Sequence, residues 1–75
     1  MSGRWFPGLM VRVYETRQEA EVARDRVAVF LMSKGLPGKA LTSQYDLTRW
    51  CVYVETSAKQ EVALVKQALK IAGLL

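Results

Sequence analysis

The sequence predicts a small α+β protein: a two-layer β-α-β-β-α sandwich, ferredoxin-like but lacking the last strand, with an antiparallel sheet and two helices on one face. Three observations predict it. Residues 49–56, Arg49-Trp50-Cys51-Val52-Tyr53-Val54-Glu55-Thr56, are dense in β-branched and aromatic side chains and hold neither Gly nor Pro, which reads as a central strand. Two helix-start signals, Thr16-Arg17-Gln18-Glu19 and Ser57-Ala58-Lys59-Gln60, each follow a strand-like run. The order of elements then leaves a gap between the first two strands, which the third can fill antiparallel to both.

Residues 1–8 read as an N-terminal arm or short hairpin, and 9–75 as a single domain. Trp5-Phe6-Pro7-Gly8-Leu9 places two aromatics before a Pro-Gly pair, the signature of a type II turn, in which Pro fixes φ and Gly accepts a positive one. The arm either pairs as a hairpin or lays Trp5 and Phe6 on the core. Leu9 to Glu15 follows as the first strand, with Val11 and Val13 alternating against Arg12 and Tyr14. The capping box at Thr16 opens a helix running to about Lys34, and Gly35 stops it. Ala20, Ala23, Val27, Phe30 and Leu31 form its core stripe. Beyond Val27 the helix is apolar nearly all round, through Ala28, Val29 and Met32, which calls for burial on more than one side.

Lys39 to Tyr45 is a weaker strand with Leu41 as its inward residue, joined to the central strand by the loop Asp46-Leu47-Thr48. The last helix runs to about Ala72, with Gly73 as terminator. It carries two apolar rows, Val62, Val65, Leu69, Ala72 and Leu64, Ala68, Ile71, Leu75, while Lys59, Lys66 and Lys70 occupy the opposite side. Glu15-Thr16 recurs as Glu55-Thr56, and Glu21-Val22-Ala23 as Glu61-Val62-Ala63, suggesting two related strand–helix units. That echo aligns Val13 with Tyr53, whereas alternation makes Val52 and Val54 the buried partners of Val11 and Val13; alternation is preferred.

The run Val11-Arg12-Val13-Tyr14, then Gln18-Glu19-Ala20-Glu21-Val22-Ala23-Arg24 and Lys34-Gly35-Leu36, resembles the start of a SPOR-type domain. Val52-Tyr53-Val54 with Gln60-Glu61-Val62-Ala63 resembles the second half. The resemblance implies the split βαβ fold and, for that family, peptidoglycan binding on the open sheet face. Only the fold is carried over.

Composition narrows the function. A chain of 75 residues buries roughly 60% of its unfolded surface. With 51% hydrophobic residues, it has apolar surface to spare for a second copy or a partner. A net charge of +4 favours polyanions or acidic protein surfaces. The absence of histidine removes the commonest general base and metal ligand, and the single cysteine, Cys51, reads as a small buried hydrophobe. No catalytic, cofactor-binding or metal-binding motif is present, and Gly35-Leu36-Pro37-Gly38-Lys39 lacks the spacing of a phosphate loop. With no apolar leader in the first ten residues, and Val27 to Met32 too short to span a bilayer, the expectation is a cytoplasmic protein without a membrane segment.

Two functions are expected from this pattern. The first is a small non-enzymatic protein-interaction or regulatory module, a homodimer or the ligand of a larger protein, using Trp5, Phe6, Met10, Arg12, Tyr14, Val29 and Met32. The first strand, with no closing neighbour, would be an exposed edge for such a partner. The alternative is single-stranded nucleic-acid binding. It uses Arg12, Tyr14, Arg49 and Tyr53 on the open sheet face, where aromatics would stack bases, and Lys59, Lys66 and Lys70 as a second basic stripe.

Overall fold

The structure is a computed structural model and describes residues 7–75. Its elements are β1 (Gly8–Tyr14), α1 (Arg17–Ser33), β2 (Lys39–Gln44), β3 (Trp50–Glu55) and α2 (Lys59–Ile71). The strand order is β1-β3-β2, and β3 pairs antiparallel with both neighbours. The architecture is therefore the expected three-stranded antiparallel sheet with two helices. Val52 and Val54 of β3 are fully enclosed, in one cluster with Ala20, Val27 and Leu31 of α1 and Val65 and Leu69 of α2. Both helices thus bury their apolar faces on the same side of the sheet. The pairing of Trp5 and Phe6 lies outside the described residues.

The first capping box forms as its spacing demands. Glu19 N–H donates to Thr16 Oγ1 at 3.1 Å, and Thr16 N–H donates to Glu19 Oε1 at 3.2 Å. Both helices end in the same motif. Gly35, at φ 63°, lets Leu36 N–H reach Leu31 O at 2.9 Å; Gly73, at φ 76°, lets Leu74 N–H reach Leu69 O at 2.9 Å. Each motif turns a leucine, Leu36 or Leu74, back onto the core.

Several local expectations are corrected. Gly8 is the first residue of β1 instead of a turn residue, and its φ is not positive. Thr56 holds the preceding carbonyl: its N–H donates to Pro7 O at 2.7 Å, which carries the bonding between β1 and β3 one residue beyond Gly8. The missing side chain at Gly8 serves a different purpose, because a methyl group there would lie 2.6 Å from Tyr53 Cε1. The Tyr53 ring occupies that space.

The second capping box does not form. The N-cap of α2 is Ala58, with no side-chain cap, and Ser57 contributes only its N–H, donated to Glu61 Oε1 at 3.0 Å. In β2, Ala40 pairs with Val54 and packs on the core, whereas Leu41 pairs with Tyr53. Cross-strand partners share a face, so Leu41 points to the open side of the sheet and not inward.

The most consequential correction lies in β1. Its register with β3 shifts between Met10 and Arg12, leaving Val11 as the extra residue of a β-bulge. Before the bulge, Leu9 faces the core opposite Val54 and Met10 faces out opposite Tyr53. After it, Val13 lies opposite Cys51 on the open side, and Tyr14 lies opposite Trp50, where both pack against the core. Strict alternation fails at one residue and every later side chain changes face. Val11 itself packs against the core, as alternation expects, while Val13 shares the open face with Tyr53, the residue that the internal echo aligned it with.

Candidate functional site

The bulge redistributes the residues expected to bind nucleic acid. Arg12 and Tyr14 lie on the helical side, in a groove of about 490 Å³ between β1 and α1 that Val22, Ala23 and Arg26 also line. Tyr53 lies on the opposite, open side. Arg49 is engaged in the β2–β3 turn: its Nε donates to Asp46 Oδ2 at 2.8 Å, and its guanidinium stacks 5.1 Å from the Tyr45 ring. The hydrogen bond from the Arg49 side chain, aided by Thr48 N–H, holds the Asp46 carboxyl down at about 2. The four residues therefore do not share one surface. Lys59, Lys66 and Lys70 are all exposed along α2 and take no part in an ion pair among the described residues.

The residues expected at a protein interface also separate. Trp5 and Phe6 lie outside the described residues. Met10 is half-exposed on the open sheet face, beside Val13, Leu41, Cys51 and Tyr53. Val29 and Met32, the latter 82% exposed, lie on the outer surface of α1. Cys51 is buried between its strand neighbours, and that burial pushes its thiol pKa up, against a smaller opposing effect of the Ser43 backbone. It is a packed, unpaired thiol among the described residues.

What the structure does assemble is an apolar groove between the two helices. Phe30 and Lys34 from the end of α1, Leu36 from the turn after it, and Ala68, Ile71 and Ala72 from the end of α2 line a space of about 400 Å³. Ile71 is 80% exposed at its rim. Next to it, Val22, Arg26 and Val29 of α1 meet Leu74 in a second, shallower depression. The C-terminal end of α2 thus lies against the second half of α1, where an antiparallel helix pair would place the N-terminal end of α2. Leu64, Ala68 and Ile71 form a row along α2 beside this groove, with Leu64 half-exposed.

Of the two apolar rows read from the sequence, only Val65 and Leu69 of the first are fully buried. In the second row Leu64 and Ile71 remain exposed, while Leu75 packs on the core. The sequence signal for this groove was the second row itself. A three-stranded sheet takes one stripe from each helix, so a second stripe needs another neighbour.

Among the described residues no cluster of histidine, cysteine or carboxylate side chains could hold a metal ion, and no helix is long and apolar enough to cross a membrane. Compared with models of known protein families, with curated proteins and with solved structures, the chain matches none.

Proposed function

We propose that this chain is a small non-enzymatic interaction module that binds an amphipathic helix of a larger protein partner in the groove between α1 and α2. The carrying observation is the groove itself: Phe30, Leu36, Ala68, Ile71 and Ala72 form an apolar floor and walls open to solvent. An apolar patch of this kind on a small soluble domain marks a contact surface. A helix laid into such a groove inserts side chains spaced i, i+3 or i+4 as anchors. Lys34 at the rim has no ion-pair partner among the described residues, so a carboxylate beside the anchors complements it. The net charge of +4 favours an acidic partner in the same sense. A reducing, cytoplasmic setting suits the lone buried thiol.

The protein-binding function is preferred to single-stranded nucleic-acid binding because the bulge at Val11 turns Tyr14 away from Tyr53. The test compares immobilised parent, Ile71→Glu and Leu47→Glu proteins for what they retain from the native host, with each retained protein then purified and titrated by calorimetry. Leu47 is exposed in the β2–β3 loop and serves as a control. A purified partner that binds the parent and Leu47→Glu, but binds Ile71→Glu at least about tenfold more weakly, supports the proposal. If no retained protein distinguishes Ile71→Glu from the parent, the proposal fails.

A further inference from the structure

The two sheet edges are not equivalent, and we infer that the β2 edge joins a second copy of this chain, forming a continuous six-stranded sheet with the two α1 helices side by side. The edge of β1 is interrupted by the bulge at Val11 and carries Arg12, both features that discourage strand addition. The edge of β2 has neither. Its register with β3 is unbroken from Lys39 to Gln44, it contains no Pro or Gly, and its one charge sits at its first residue. Antiparallel pairing about a two-fold axis places the two copies of Lys39 at opposite ends of the joint. Registers with Leu41 or Thr42 opposite itself keep the buried and open faces matched.

The helix above this edge fits the same axis. α1 packs on both β2 and β3. Its Val22, Ala23 and Arg26 flank meets Arg12 and Tyr14 of β1, so helical periodicity puts Glu21, Arg24, Ala28 and Met32 on the flank overhanging β2. With α1 seated between two strands, the paired helices come about 10 Å apart, within the usual contact distance.

The correspondence along the axis can be read from two contacts. A methyl group at Gly38 would lie 3.7 Å from Leu31 Cδ1, and the Arg17 guanidinium lies 5.1 Å from the ring of Trp50, the neighbour of Gln44. The middle of β2 therefore lies below the Glu21–Arg24 segment. Two antiparallel α1 helices bring Glu21 of each copy to Arg24 of the other, with Ala28 allowing close approach. Within each copy Glu21 is held by Arg17 and Arg24 by Asp25, both at 3.0 Å, and the second copy adds an opposite charge to each pair, so the surface complements itself across the two-fold axis. It is separate from the groove at Ile71 and does not rest on the proposed partner helix.

Sedimentation across a wide concentration range, with far-UV circular dichroism to confirm folding, provides the test on the full chain. The parent and Ile71→Glu should both dimerise. Glu21→Arg and Arg24→Glu should each weaken the dimer by about tenfold or more, since each change turns two attractions into two repulsions. The double variant should recover most of the loss. Amide exchange at high concentration should slow in β2 and not in β1. A monomer throughout the range, swaps that fail to compensate, or protection confined to β1 would overturn the inference.

Discussion

Leu69 and Ile71 lie two positions apart on α2, and replacing each with alanine should have opposite consequences. Leu69 is fully enclosed among Val52, Val54, Val65 and the leucines of the turns, so Leu69→Ala removes buried methyl and methylene groups and leaves a cavity. The expected loss is about 3–5 kcal/mol. A domain of 75 residues has a total stability of about 4–11 kcal/mol, so this one change should remove about a quarter of the margin at the least. Ile71 is 80% exposed, and its replacement forfeits little burial while gaining helix propensity; Ile71→Ala should stay within about 0.5 kcal/mol of the parent. Urea unfolding followed by circular dichroism measures both. With a slope of about 1 kcal/mol per molar urea, Leu69→Ala should lower the midpoint by about 3 M or leave the chain unfolded without denaturant. Equal losses at the two positions would refute the assignment of one buried and one open row on α2. So would a loss at Leu69 below about 1 kcal/mol.

The two capping sequences give a second contrast: Thr16→Ala should destabilise by about 1 kcal/mol, and Ser57→Ala should be nearly neutral, because only Thr16 caps with its hydroxyl. Thermal melts of the two variants check it. Gly38→Ala should cost about 1–3 kcal/mol, since Gly38 holds φ 119° and a methyl group there would lie 2.8 Å from Val54 Cγ1; denaturant titration measures the change. The Asp46 carboxyl is depressed from 3.8 to about 2 in the folded chain. Its contribution is therefore present above pH 4 and lost as pH falls through 2, so melting temperatures of the parent should fall more steeply over that window than those of Asp46→Asn.

The sequence made the central strand and the element order legible because β3 has a strong local signal that tertiary packing reinforces. Helix ends were equally readable, since Gly35 and Gly73 are required by the left-handed turn each motif contains. The faces of β1 were not. A bulge at Val11 leaves no mark in a run such as Leu9-Met10-Val11-Arg12-Val13-Tyr14, where unbroken alternation already gathers Leu9, Val11 and Val13 on one side and asks for no irregularity. It depends on how β1 and β3 twist together, a property of the pair. Arg49 was misread for a related reason: a basic residue beside a strand looks free until Asp46, three residues earlier, folds back to meet it. At Ser57 a good capping sequence lost to Thr56, whose single hydroxyl proton lies between Pro7 O at 3.2 Å and Ala58 O at 3.1 Å, and the helix starts one residue later. The groove was half visible, as an apolar row with no sheet left to cover it.

Nuclear Overhauser contacts of Cys51 give the most direct check on how this chain is built. With β3 between β1 and β2, and the bulge at Val11, Cys51 should show cross-strand backbone contacts to both Val13 and Ser43, while the Tyr14 ring contacts Trp50 and the helical layer. Contacts from Cys51 to one side only, or a Tyr14 ring beside Tyr53, would contradict the placement of β3 and the division of the two faces.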